Sequence, residues 1–196
     1  MTHPFIVFEG VDGAGKSTVS KMVADSLGAE HLESPINEFK KIRKFVEGNL
    51  SEKAKFLYYL ASNFELSNHA RTNKQIEPVV CARYVYSTLI GHASRQYRSI
   101  DDACRSWPVS PDEFEKPDLT IFLCLSEDEQ RTRIGARQSS QNSAKDHQCL
   151  NDAVYQRHLF DNYASVAKKE NWFTIDTTSM PVEQVVEKCI ERIRTL

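Results

Sequence analysis

Residues 10–18, Gly10-Val11-Asp12-Gly13-Ala14-Gly15-Lys16-Ser17-Thr18, satisfy the pattern G-x-x-x-x-G-K-[ST], and no other stretch restricts the fold so tightly. The pattern works only between a buried strand and a helix whose N-terminus faces a phosphate. Both flanks are present. Phe5 to Phe8 is a short apolar run bounded by Pro4 and the glycines that begin at Gly10, and it reads as a buried strand. From Lys16 to Leu27 the residues Val19, Met22, Val23 and Leu27 recur at helical spacing, and Gly28 is placed to cap the helix. Each residue type in the loop has a physical task. Gly10, Gly13 and Gly15, with Ala14, let successive backbone N–H groups wrap a phosphate, and Lys16 sets a cation near the β- and γ-phosphates. Ser17 can ligate Mg²⁺, and Thr18 opens the helix beside it. These seven residues are the expected ATP-phosphate site, with Ser17 as the metal ligand and MgATP as the ligand implied.

The rest of the chain repeats the strand and helix alternation. Helical patterns run from about Asn37 to Glu47, from the Ser51 cap with Phe56, Leu57, Leu60 and Phe64 on one stripe, from Tyr84 to about Tyr97, from Glu127 to Arg137, from Asp152 to Lys169 and beyond Pro181. Continuous apolar runs at Val79 to Ala82, Leu119 to Leu125 and Trp172 to Ile175 read as buried strands, with a short second strand ending near Glu33. Five strands alternating with helices predict an α/β fold: a five-stranded parallel sheet, helices on both faces, and ligands at the carboxyl edge. The whole chain, 1–196, reads as one domain. Ser99 to Lys116 is expected to be a surface excursion. The polar stretch 138–148 has no apolar period and sits between two helices, so it is the candidate lid.

Composition excludes several classes. A formal charge of −2 disfavours a general nucleic-acid binder. No apolar run approaches the ~20 residues of a membrane span, and the opening lacks the features of a secretory signal, so a cytoplasmic protein is expected. The five cysteines are odd in number and contain no C-x-x-C pair, so buried free thiols are expected rather than disulfides or zinc.

The phrase Phe5 to Thr18 resembles the opening of the thymidylate kinase family of P-loop kinases. Arg83-Tyr84 with Ser87 resembles the family's D-R-Y-x-x-S stretch, Pro117-Asp118-Leu119-Thr120 its P-D-L-T stretch, and Arg131, Arg133 and Arg137 its lid helix. The resemblance implies transfer of the ATP γ-phosphoryl group to a nucleoside 5′-monophosphate with Mg²⁺, and it implies a homodimer through the third helix. Four positions depart from the family pattern. The D-R-Y aspartate is Ala82, the A-Y-Q triplet is Ile90-Gly91-His92, the base-contacting arginine of L-F-A-A-D-R is Asn63, and R-E-P is Glu33-Ser34-Pro35. All four lie on the acceptor side, so thymidylate does not carry over as the acceptor.

The expected catalytic set is therefore Lys16, Asp12, Arg83, Arg133 and Arg137, because phosphoryl transfer needs positioning and charge neutralisation more than covalent help. Asp12, Glu33, Asn63 and Arg83 are the expected acceptor contacts. A carboxylate inside a phosphate loop is unfavourable unless Asp12 meets Mg²⁺ or a sugar hydroxyl. Glu33 could accept a hydroxyl proton or hold a metal-bound water. A kinase of nucleosides or other small metabolites, and a nucleotide-binding module with little turnover, are the competing readings.

Overall fold

All five positions of Phe5–Glu9 are buried, which a strand achieves only when both faces of its sheet are covered. A computed structural model describes residues 2–136 and 151–196 and shows that arrangement. The elements are β1 Phe5–Glu9, α1 Lys16–Leu27, β2 Glu30–Glu33, α2 Asn37–Asn49, α3 Glu52–Asn73, β3 Val79–Ala82, α4 Val85–Arg95, α5 Ile100–Cys104, β4 Leu119–Cys124, α6 Glu127–Gly135, α7 Ala153–Lys169, β5 Phe173–Asp176 and α8 Val182–Ile193. The strands form one parallel sheet in the order β2-β3-β1-β4-β5. With β1 at the centre, the loop that follows it lies in the middle of the carboxyl edge, where ligands of such sheets bind.

Helix α1 packs on β1, β2 and β3 and against α8, while α4 packs against α3, α5 and α7. The two sets enclose a core of Phe5, Ile6, Val7, Phe8, Leu89, Ile121 and Leu123. Strand and helix termini fall within a few residues of the sequence reading; α2 runs through Gly48 to Asn49.

Three expectations are corrected. Ser99 to Lys116 is no mere excursion: Ser99 Oγ accepts the Asp102 N–H at 3.2 Å to start α5, and Ile100, Ala103 and Phe114 are buried. Leu57 on α3 and Val154 on α7 face outward despite their place in the apolar stripes. Of the cysteines among the described residues, Cys81 and Cys189 are buried as expected, Cys124 is half-buried and Cys104 is exposed, while Cys149 lies outside those residues. The candidate lid 138–148 and Arg137 lie outside the described residues. Among the described residues, no helix is long and apolar enough to cross a membrane.

Candidate active site

The phosphate loop is shaped by two glycines that nothing else could replace. Gly10 has φ +142°, and a Cβ there would overlap the Leu123 carbonyl oxygen of the neighbouring strand. Gly13 has φ +88°, also in the region that L side chains avoid. Lys16 is buried and its Nζ donates to the Val11 carbonyl at 2.6 Å, so the ammonium arches back over the loop. A buried amide chain fixes the loop from outside. Gln130 Nε2 on α6 donates to the Asp12 carbonyl at 2.8 Å, and Gln156 Nε2 on α7 donates to Gln130 Oε1 at 2.8 Å. Arg131, the weakest of the arginine candidates, donates to Gln156. Arg133 donates to the carbonyls of Gly13 at 3.3 Å and Thr177 at 2.6 Å and pairs with Glu129 at 2.7 Å, so it meets the loop through backbone oxygens.

Asp12 and Arg83 form an ion pair at the mouth of the loop. Asp12 thus meets a guanidinium where the sequence reading expected a metal or a sugar hydroxyl. Arg83 follows β3 with φ +68°, a conformation rare for a residue with a side chain. Burial works against its charge, yet Asp12 first, then Tyr163 and Glu9, together outweigh burial and hold its pKa above the ordinary arginine range. The pair faces a cleft whose walls include Ser34, Phe56, Tyr59, Thr88, His92 and Arg95. Phe56 and His92 are stacked with centroids 3.8 Å apart. Tyr59 donates to Glu47 at 2.5 Å, and Arg43 Nε donates to the same carboxylate oxygen at 3.0 Å. Arg43, Arg95 and the Tyr59–Glu47 pair escaped sequence reading because they come together only when α2, α3 and α4 converge.

Asn63 does not line that cleft. It is fully buried one layer behind the wall, accepting from Ser34 Oγ at 3.1 Å and donating to Thr88 Oγ1 at 2.9 Å. A short amide with both ends engaged cannot reach the ligand space.

Glu33 ends β2 directly across the ladder from Ala82. Its carboxylate accepts from Lys40 Nζ at 3.2 Å. Partial burial pushes its pKa up, and Lys40 with Ser17 more than compensates, so the group sits below the usual carboxylate range. A carboxylate beside the loop serine therefore occurs next to the position where the resembled family's motif carries an aspartate.

The thymidylate kinase family model matches residues 8–189. Probable thymidylate kinases from Methanococcus aeolicus and Methanocaldococcus jannaschii are 30% and 27% identical, covering 97% and 98% of this chain and 96% of each relative. The thymidylate kinase of Plasmodium falciparum is 28% identical over 89% of this chain and 82% of its own. The chain belongs to the thymidylate kinase family. The fold agrees: a Candida albicans thymidylate kinase structure superposes with a TM-score of 0.80 at 22% identity, covering 99% of this chain and 92% of that one. Membership makes the chain an ATP-dependent nucleoside monophosphate kinase with a five-stranded parallel P-loop kinase fold.

Proposed function

We propose that this kinase phosphorylates a nucleoside 5′-monophosphate other than thymidylate, with Arg83 as the cation for the acceptor phosphate. The observation that carries the reading is the Asp12–Arg83 pair at the junction of phosphate loop and cleft. Asp12 keeps the guanidinium in place until an anion arrives, and a planar fork of donors suits a phosphate oxygen pair. On the donor side, Lys16 and the backbone N–H groups of Gly13 to Thr18 neutralise the triphosphate, and Arg133 holds Gly13 from behind.

The residues fit a magnesium ion. The Ser17 hydroxyl, whose influence helps hold the Glu33 pKa down, and the Glu33 carboxylate are hard oxygen donors of the kind Mg²⁺ takes from a loop serine and a carboxylate in P-loop enzymes. Bound there with the nucleotide, it would neutralise charge on the β- and γ-phosphates. Glu33 thereby answers the loss of the aspartate at Ala82, and its engagement with Lys40 speaks against a base for an uncharged nucleoside hydroxyl.

The exposed apolar side chains of Ile42, Phe45 and Leu57 on α2 and α3 support a homodimer through that side. The free thiols support a cytoplasmic setting, and the charge of −2 supports work without nucleic acid. An ADP-release screen over nucleosides and their monophosphates tests the reading. Some monophosphate should exceed thymidine monophosphate in kcat/KM by about tenfold, the scale of one lost charge-assisted contact. Thymidine monophosphate as the best acceptor would sink the choice of substrate, and a preference for nucleosides would sink Arg83's role.

A further inference from the structure

Glu9, the last residue of β1, is 1% exposed, and the phosphate-loop pattern assigns it no task. A carboxylate at that depth persists only where donors replace the lost water. Its donors come from one place, the start of α4. Oε1 accepts the backbone N–H of Tyr84 at 3.0 Å and of Ser87 at 3.2 Å, while Oε2 accepts the Ser87 hydroxyl. The first turn of a helix leaves N–H groups without partners and carries a partial positive charge, so an anion there is stabilised. Tyr84, the N-cap of α4, provides no side-chain cap of its own. Glu9 supplies the missing cap from another strand.

Arg83 lies immediately before that cap. Its own N–H donates to the Phe8 carbonyl at 2.9 Å, so the residue is held to β1 on one side by backbone and on the other by Glu9 through Tyr84 and Ser87. Between these two attachments its φ is +68°. An unfavourable backbone geometry survives only when the surroundings determine it from both directions. Ser87 Oγ also lies 3.1 Å from the Tyr163 hydroxyl of α7, which ties the same turn to a second helix.

We propose that Glu9 is a positioning residue, one that aims Arg83 at the acceptor phosphate by clamping the first turn of α4 to the end of β1. The inference rests on the reading of Arg83 as the acceptor-phosphate cation. Glu9 touches neither substrate; its effect passes through the backbone of residues 83–87. Oε1 takes both N–H groups and Oε2 the Ser87 hydroxyl, so an amide in its place would keep the accepting oxygen, turn a donor toward Ser87 Oγ and remove the charge at the helix start.

A double-mutant cycle between Glu9 and Arg83 tests this, measured on the monophosphate that wins the ADP-release screen. Glu9→Gln should lower acceptor kcat/KM about tenfold, raise the acceptor KM, and leave the KM for ATP within about twofold of wild type. In an Arg83→Ala background the same change should cost less than about twofold, because its route of action is gone. Equal damage to both substrates, or losses that multiply in the double variant, would mean that Glu9 only supports the fold and would overturn the proposal. Should Glu9→Gln fail to fold, Ser87→Ala removes the hydroxyl contact and keeps both backbone caps. A threefold loss toward the acceptor that disappears with Arg83→Ala supports the proposal, whereas no loss, or a loss that persists, overturns it. The two readings fail separately. A wild-type enzyme that ignores all monophosphates defeats the assignment of Arg83, and one that uses them while the cycle is additive defeats Glu9 alone.

Discussion

The phosphate loop and the acceptor cleft open from the same sheet edge, yet they are built in opposite ways. The loop is made of consecutive residues whose backbone does the binding, and its glycines are fixed by steric demands such as the Leu123 carbonyl against Gly10. The cleft is made of side chains from α2, α3, α4 and the ends of β2 and β3, held by pairs such as Arg43–Glu47 and Asn63–Thr88. A site made of local backbone tolerates little change, whereas one made of distant side chains can exchange members as long as each new polar group finds a partner. Two of the departures from the family pattern obey that distinction, with His92 in the cleft wall and Asn63 behind it, while Glu33 and Ala82 lie side by side at the proposed magnesium site.

The largest expected effect tests the loop. Lys16→Ala should cut kcat by at least ~100-fold, since the ammonium faces charge that develops in the transition state. Turnover within threefold of wild type would show that the loop does not carry the reaction. Next comes the cleft's own cation. Arg83→Ala should lower acceptor kcat/KM by about 10- to 100-fold, the range for a lost hydrogen bond to a charged group, with the KM for ATP close to wild type. Steady-state kinetics with each substrate varied in turn separates the two sites; a parallel rise in both KM values would erase the contrast.

A smaller change probes their junction. Glu33→Gln should raise the magnesium concentration needed for half-maximal rate about tenfold, and weaken Mn²⁺ binding to the complex with ADP by a similar factor in paramagnetic resonance titrations. Unchanged metal affinity would remove Glu33 from the donor side. The smallest effect belongs to Gly91, inside α4, where a Cβ would meet only Arg95 Nη1, at 3.7 Å. Gly91→Ala should stabilise the helix by ~0.5–1 kcal/mol and raise the melting temperature by a few degrees. A simultaneous fall in acceptor kcat/KM would show that the open space serves the ligand.

The same contrast explains what the sequence could reveal. Strands β1, β3 and β4 and the phosphate loop are legible because their signals are contiguous: unbroken apolar runs and an eight-residue pattern joining strand to helix. Asp12, Lys16 and Arg83 come to the site where that pattern and the sheet edge place them. Helix α5 was missed because Ile100, Ala103 and Phe114 are sparse among polar residues, although Ser99 followed three residues later by Asp102 is a cap signal. The pairing of Glu33 with Ser17, the Gln130–Gln156 chain and the cap from Glu9 to α4 join residues 16, 26 and 75 or more positions apart, and no local period encodes them. Asn63 was placed in the right wall and the wrong layer, since spacing on a helix gives direction and says nothing of depth.

The central position of β1 has a consequence for how such an enzyme changes over time. The strands that carry the acceptor supports, β2 and β3, lie to one side of β1, while β4 and β5 with the helices that brace the phosphate loop lie to the other. A change to a cleft side chain on the first side can alter which nucleotide is accepted while the backbone that grips ATP stays in place, and Glu33 at the end of β2 is where the two sides meet. The choice of acceptor and the hold on ATP are thus largely parted along a single buried strand.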